Sequence, residues 1–219
     1  MAKPRISETD SGITGEFETQ MYDTMMRNMR DKGWLETNLV LKEGISSGMA
    51  LEIGPGPGYL GLEWLTKTND TRLKGLEISN DMITLAQKNA VEYGLSPRVE
   101  YFQGDAKKMP FNDNYFDAVF ANGSLHEWAD PDMIFNEIAR VLKPGGRYVI
   151  SDLRRDMIAP VRWFFWLMVK PKEMRPGLVS SINAAYTLPE IKELLARTKL
   201  QGWQVSQNPF GLAISGCKP

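Results

Sequence analysis

Apolar residues of the chain fall into short runs that alternate with longer segments of helical periodicity. The runs predict seven strands, at 49–53, 72–78, 99–102, 116–121, 147–153, 201–207 and 212–216. In the intervening segments, apolar residues recur at three- and four-residue spacing, which predicts helices at 59–67, 79–94, 130–143 and 189–198. Strands and helices therefore alternate along most of the chain.

This alternation predicts the arrangement of the sheet. Strands that alternate with helices are joined by right-handed crossovers, which produce a mostly parallel sheet covered by helices on both faces. The last two strands differ, because only a short turn around Asn208, Pro209 and Phe210 separates them and a closing hairpin is expected. We therefore predict an α/β fold with a doubly wound, seven-stranded sheet whose last strand is antiparallel to the rest.

A helical segment precedes all of the strands. Its apolar residues recur every four positions and so share one face: Phe17, Met21, Met25 and Met29. The helical pattern covers 14–43, with a break near Gly33 and an end at Gly44. Methionines on one helix face either fill a core or cover a pocket as a lid. The sequence predicts an N-terminal helical cap, 1–48, followed by one domain, 49–219.

A segment at about 154–186 interrupts the alternation late in this domain. Its part 154–175 has six basic and two acidic residues around the apolar run 163–169. A helix that is apolar nearly all round is buried, covers a pocket or lies at an interface. Three interpretations stay open: a lid over the substrate, peripheral membrane contact through 157–169, and the interface of a homodimer. An apolar lid suits a lipophilic or aromatic substrate, and its basic flanks suit an anionic one.

Composition excludes several classes of partner and site. The chain has 219 residues and a formal net charge of -1, whereas proteins that bind nucleic acid usually carry a basic excess. Cys217 and His126 are the only residues of their types, so a disulfide framework, a thiolate zinc site and a histidine-rich metal site are not expected. The first twelve residues are polar, and the run 163–169 is too short to span a bilayer. We therefore expect a cytoplasmic protein without a bound metal.

The segment 51–58, Leu-Glu-Ile-Gly-Pro-Gly-Pro-Gly, carries the most specific chemistry. Glycines at alternate positions between a strand and a helix let the backbone approach a ligand where any Cβ would clash. In an open α/β sheet, ligands bind outside the carboxyl ends of the strands, beside helix N-termini. The dinucleotide fingerprint requires its third glycine at position 59, which is Tyr59 here. The spacing therefore disfavours a dinucleotide.

The pattern Glu-x-Gly-x-Gly-x-Gly, from Glu52 to Gly58, resembles motif I of the class I S-adenosylmethionine-dependent methyltransferases. The segments Gly104-Asp105-Ala106, 116–128 and 142–147 also resemble motifs of small-molecule methyltransferases of type 11, similar to quinone-biosynthesis C-methyltransferases. The resemblance covers 49–153 and, loosely, 186–195. It implies a Rossmann-like fold in which 49–219 binds S-adenosylmethionine.

The resemblance also implies a set of cofactor-binding residues. They are Glu52, Gly54, Gly56, Gly58, Glu77, Ile78, Asp105, Ala106, Asn122 and Gly123. Glu77 would accept hydrogen bonds from the ribose hydroxyls and Asp105 from the adenine amino group, unless both are ordinary strand-end acids facing water. Glu52 either braces the glycine loop or reaches the methionine ammonium group. Backbone carbonyls at Asn122 and Gly123 would accept from that ammonium, although Asn122 equally fits a strand-terminating turn.

Three residues are candidates for catalysis. His126 follows the fourth strand near the expected methyl group, and an ordinary imidazole accepts a proton at neutral pH. Its alternative role is to orient the cofactor or a loop, because methyl transfer proceeds by positioning even without a protein base. Tyr22 and Tyr186 are candidates to hydrogen-bond a substrate hydroxyl.

The function that these observations favour is methyl transfer from S-adenosylmethionine to a small molecule. Two alternatives stay open: an NAD(P)-dependent oxidoreductase on the same fold, and a non-catalytic S-adenosylmethionine-binding protein that docks a partner. The sequence does not decide between carbon, oxygen, nitrogen and sulfur as the acceptor atom, since this fold serves all of them.

Overall fold

The structure is a computed structural model that describes residues 4–8 and 12–219. Residues 1–3 and 9–11, which belong to the predicted cap and to the polar first twelve residues, lie outside the described residues. The strands are β1 Met49–Ile53, β2 Arg72–Glu77, β3 Val99–Gln103, β4 Phe116–Asn122, β5 Leu142–Leu153, β6 Trp203–Gln207 and β7 Gly211–Cys217. The helices are α1 Glu16–Asp31, α2 Thr37–Lys42, α3 Tyr59–Thr66, α4 Asn80–Glu92, α5 Pro131–Val141, α6 Ala159–Met168, α7 Arg175–Ala184 and α8 Leu188–Ala196.

The seven strands form one sheet in the order β3-β2-β1-β4-β5-β7-β6. β1 pairs in parallel with β2 and β4, and β3 and β5 extend the parallel part on either side. β7 is antiparallel to both of its neighbours, β5 and β6. The predicted doubly wound sheet with an antiparallel last strand is confirmed. Its strand order reverses between β1 and β4, and this is the position at which open α/β sheets bind ligands.

Two apolar layers cover the sheet because successive side chains of each strand point to opposite faces. On one face, Leu51 and Ile53 of β1 pack in a cluster with Ile138 of α5 and Ile191 of α8. On the other face, Ala50 packs in a cluster with residues of α2 and α3, including Val40, Leu60 and Trp64. All of these side chains are buried. The sheet is therefore a rigid support for the loops at its carboxyl edge.

The fifth strand begins earlier than the sequence predicted. The helix was predicted to extend to Lys143 and the strand to begin at Arg147, but α5 ends at Val141 and Leu142 already pairs with Phe116 of β4. The register then shifts before Ala118 pairs with Arg147. This irregularity depends on the neighbouring strand, and so it has no signature in the local sequence.

The predicted interruption at 154–186 consists of α6, the turn Lys172–Met174 and α7. Large apolar side chains of this segment are exposed, with 65% exposure for Ile158 and 64% for Trp163. Within residues 4–8 and 12–219, every helix is too short or too polar to cross a membrane.

Candidate functional site

The glycine-rich turn between β1 and α3 has a backbone conformation that is strained for residues other than glycine. Gly54, Gly56 and Gly58 have φ angles of +63°, +52° and +84°. A side chain in this left-handed region is disfavoured, whereas glycine enters it freely. A Cβ at Gly56 would also lie 3.3 Å from Cε1 of Tyr22. The alternate glycines therefore keep the backbone bare at the carboxyl end of β1.

Glu77 holds this turn against the end of β2. Its Oε2 accepts a hydrogen bond from the backbone N–H of Gly56 at 3.0 Å, and Oε1 accepts from Ile78 and Ser79 at 2.9 and 3.0 Å. Burial raises the pKa of the Glu77 carboxyl, while the three N–H donors act in the opposite direction. A carboxylate so oriented has remaining lone pairs for hydroxyl donors.

A cleft of about 110 Å³ lies in front of this turn and brings together most of the predicted cofactor residues. Its lining includes Gly54, Gly56, Glu77, Ile78, Asp105, Ala106 and Gly123. Ile78 is 40% exposed, so an apolar surface is available at the cleft. Asp105 accepts from the backbone N–H of Lys107 at 2.8 Å, which fixes its carboxylate. Bare backbone, an apolar wall and two acids fit the adenosine part of S-adenosylmethionine.

Two predicted cofactor residues lie beneath the turn instead of in the cleft. Glu52 is 2% exposed and points towards α3, where a Cβ at Gly61 would approach its Oε2 at 2.3 Å. That oxygen has no hydrogen-bond partner among the described residues. Burial raises the pKa of Glu52 to about 8. Gly58 precedes α3, and a Cβ there would lie 2.6 Å from the buried hydroxyl of Tyr101. This geometry favours the bracing role for Glu52.

A second cavity of about 1130 Å³ adjoins the cleft. It lies between α1, the 154–186 segment, and the ends of β4 and β5. Its apolar lining includes Met25, Met26, Met29, Phe164 and Phe165. Both the methionine-rich face of α1 and the apolar face of α6 therefore border a space large enough for a small organic molecule. That either of them moves as a lid stays a prediction.

The basic residues of 154–175 do not line this cavity in the part of the chain that the structure describes. Arg154 instead pairs with Asp156, and Arg155 with Glu190. That the basic flanks suit an anionic substrate stays a prediction, while these two guanidinium groups are engaged in ion pairs.

The cleft and the cavity meet at five shared residues: Gly12, Ile13, Tyr22, Gly123 and Glu127. Tyr22 was predicted at the reacting centre and lies at this junction. Burial raises the pKa of its hydroxyl, so the phenol is neutral and can donate a hydrogen bond. Asn122 lines only the larger cavity, where its Oδ1 accepts from the hydroxyl of Ser151 at 2.9 Å.

His126 lies on the short turn Leu125–Glu127 after β4 and lines the larger cavity. Its backbone N–H donates to Oδ2 of Asp152 at 2.7 Å, and its Nδ1 lies 2.9 Å from Oδ1 of the same residue. Burial lowers the pKa of His126, but the charges of Asp152, Glu127 and Glu8 more than offset it and raise the pKa to about 9. The imidazole is therefore protonated at neutral pH, which fits an orienting role better than that of a general base.

Glu127 is an acidic residue at the junction that the sequence did not single out. Burial raises the pKa of its carboxyl group to about 7. The adjacent His126 acts to lower this pKa, whereas Glu8 and Asp152 act to raise it. The signal in the sequence was its position beside His126 at the end of the fourth strand. Tyr186 lies away from the described lining of both cavities, buried in the core with the guanidinium of Arg5 4.3 Å from its ring.

Comparison with known proteins adds an independent line of evidence. A methyltransferase domain family matches residues 51–150. The chain is 28% identical over 163 residues to a demethylmenaquinone methyltransferase of Desulfitobacterium hafniense, covering 74% of this chain and 64% of the relative. It is 35% identical over 166 residues to the 27-O-demethylrifamycin SV methyltransferase of Amycolatopsis mediterranei, covering 69% and 60%. In both cases the chain spans less than two thirds of the relative's length.

A solved structure extends the similarity to nearly the whole chain. A Methanococcus maripaludis protein assigned as an S-adenosyl-L-methionine-dependent methyltransferase superposes with a TM-score of 0.72 and 25% identity. The match covers 97% of this chain and 97% of the other. The similarity is therefore not confined to residues 51–150.

Proposed function

This chain belongs to the class I S-adenosylmethionine-dependent methyltransferases through the domain at residues 51–150, and from this membership we propose that it methylates a lipophilic or aromatic small molecule. The resemblance predicted from the glycine motif is thereby confirmed. The observation that carries the proposal is the meeting of a bare-backbone cleft with a large, mostly apolar cavity at five shared residues.

Binding of the cofactor rests on the cleft. Gly54 and Gly56 would leave room for the ligand, Glu77 would accept hydrogen bonds from its ribose hydroxyls, and Asp105 would accept from its adenine amino group. Carbonyls near Gly123 would accept from its ammonium group. When bound, S-adenosylmethionine supplies an electrophilic methyl group on a positively charged sulfur.

The residues of the chain contribute position and exclusion of water. Methionine and phenylalanine side chains of α1 and α6 hold the apolar body of the acceptor and direct its nucleophile towards the junction. Tyr22 and Glu127 are the polar groups within reach of that nucleophile. His126, fixed by Asp152, positions this turn.

The exposed face of α6 supports a further part of this proposal, namely that the protein takes a lipophilic acceptor from a membrane surface. Ile158 and Trp163 project from the segment that also borders the cavity. Amphipathic segments with aromatic and basic residues bind at bilayer interfaces. A homodimer interface on the same face is the competing proposal. The cytoplasmic location stays a prediction from the sequence.

Calorimetric titration tests the cofactor assignment. We expect S-adenosylhomocysteine to bind the intact protein and NAD not to bind, with binding abolished in Gly56→Val because the side chain would fill the cradle. Binding of NAD instead would favour the oxidoreductase alternative. Binding of S-adenosylhomocysteine without transfer of labelled methyl to any member of an acceptor panel would favour a non-catalytic role.

A further inference from the structure

The charged residues that line the large cavity are mostly acidic. Five acids line it: Glu8, Glu18, Glu36, Glu127 and Asp152. Among the described residues, the lining of this cavity includes one histidine and no lysine or arginine. Of these five acids, only Glu127 also lines the cofactor cleft. The positive charge of the cofactor therefore does not explain the presence of the other four acids in the large cavity. An acidic wall in a mostly apolar cavity attracts a positively charged occupant.

The charge is concentrated around His126. Its Nε2 lies 3.4 Å from Oε2 of Glu8 and 3.9 Å from Oε1 of Glu127, while its Nδ1 contacts Asp152 on the opposite side. Three acidic side chains thus surround one imidazolium. The ligand atoms of Glu8, His126 and Glu127 all lie within 4.8 Å of one another. A cation bound beside this cluster would interact with the carboxylates of Glu8 and Glu127.

This cluster lies at the junction of the cleft and the large cavity. Glu127 lines both cavities, together with Tyr22 and Gly123. A cation held by Glu127 is therefore adjacent to the reacting centre, with the apolar lining of Met25 and Phe165 available for an attached hydrocarbon body.

We propose that the acceptor is a lipophilic amine, bound as an ammonium ion between Glu8 and Glu127 and methylated on its nitrogen. The proposal rests on the proposed function and specifies its substrate class. Acceptors that are anionic, or that become anionic on activation as a phenol does, are disfavoured because the same three carboxylates repel them.

The cluster and the surrounding water account for every proton transfer in the proposed reaction. One N–H proton of the ammonium passes to the carboxylate of Glu127, which leaves a neutral amine with a free electron pair. The nitrogen forms a bond to the methyl carbon while the carbon–sulfur bond breaks and its electrons stay on sulfur. The product is a secondary ammonium ion, and Glu127 returns its proton to water. The pKa of Glu127, raised by burial to about 7 in a setting shared with Glu8, Asp152, Glu77 and protonated His126, suits this transfer.

The test uses three ligands of equal chain length: decylamine, 1-decanol and decanoate. Each is titrated calorimetrically into the full chain saturated with S-adenosylhomocysteine. We expect decylamine to bind at least about tenfold more tightly than decanol, and decanoate to bind most weakly. In Glu8→Gln and Glu127→Gln the preference for the amine over the alcohol should fall about tenfold, with unchanged affinity for the alcohol. The exposed Glu193→Gln is the matched control.

Two results of these ligand titrations would overturn the proposal. Equal or tighter binding of decanol is one, and a preference for the amine that survives both substitutions is the other. Titration with Mg²⁺ or Mn²⁺ alone tests whether the acidic cluster binds a metal ion instead of an ammonium ion. Binding of the metal without binding of the amine also contradicts the proposal. Binding of S-adenosylhomocysteine in the first step keeps the proposed function intact in all three cases, whereas its failure would count against the proposed function itself.

Discussion

At the scale of single residues, the site contains groups whose identity the sequence indicates and others that only the fold brings together. Glu77 and Asp105 follow strands of a parallel sheet, so their convergence at one edge was predictable. Glu8 and Asp152 were not, because their approach to His126 joins the first described residues to the fifth strand. Sequence separation of this kind leaves no periodic signal. The same contacts raise the pKa of His126, which favours the orienting role over the general base, the two alternatives that the sequence left open.

Removal of either cleft acid tests the assignment of the adenosine site. We expect Glu77→Ala and Asp105→Ala each to weaken binding of S-adenosylhomocysteine by about 1–3 kcal/mol, the scale of an unpaired hydrogen-bond partner. Calorimetric titration measures the effect, and Asp113→Ala, exposed on the connection before β4, is the control. Unchanged affinity in both variants would contradict the assignment.

Glu52 provides a prediction of pH dependence. Its pKa rises from 4.5 to about 8 on folding, so in that interval the folded chain retains a proton that the unfolded chain has lost. Folding stability due to this group therefore falls as pH rises from about 4.5 to about 8. We expect Glu52→Gln to flatten this slope in urea denaturation, with Glu193→Gln as control. An unaltered slope, together with weaker cofactor binding, would instead support contact between Glu52 and the methionine ammonium.

At the scale of elements, alternating apolar runs were sufficient to predict all seven strands and most helices. The boundaries that failed are those decided by neighbouring elements, as at Leu142, where pairing with Phe116 extends β5. Arg98 shows another such tertiary contact. Its guanidinium donates to the carbonyls of Leu65, Thr68 and Thr71, which joins the start of β3 to the connection after α3.

This contact predicts a specific loss of stability. Arg98→Met keeps the apolar stem and removes the donors, which leaves three backbone carbonyls without these partners. We expect a destabilisation of about 2–3 kcal/mol in urea denaturation. Arg72→Met, in an exposed position at the start of β2, should change stability by less than about 0.5 kcal/mol. Equal effects of the two substitutions would contradict the bracing role of Arg98.

At the scale of the whole molecule, the cavity and the exposed face of α6 belong to the same segment. The sequence predicted an apolar insertion with basic flanks, but it left its orientation open. In the structure one side of α6 borders the cavity through Phe164 and Phe165, and Trp163 projects outwards. Orientation depends on packing against α7 and the turn before β7, which local patterns do not encode.

This orientation predicts binding to anionic membranes. We expect the protein to cosediment with phosphatidylglycerol vesicles more than with phosphatidylcholine vesicles, and the double variant Ile158→Gln/Trp163→Gln to lose most of this binding. Val91→Gln, which removes an equally exposed apolar residue of α4, should have no effect. Absence of vesicle binding, combined with a change in molecular mass in the double variant, would support the dimer interface instead.

The cap is fastened to the helices that carry the cofactor turn. Tyr59 of α3 donates to Asp23 of α1 at 2.7 Å, and Ser79, the N-cap of α4, donates to the carbonyl of Ile13 at 2.5 Å. Tyr22 of α1 stands over Gly56 at the same place. A ligand that contacts both α1 and the glycine-rich turn would stabilise the packing of α1 against α3 and α4. By thermodynamic linkage, this packing increases the affinity for the ligand by the same free energy. We therefore expect proteolysis within residues 12–40 to slow as ligand fills the cleft.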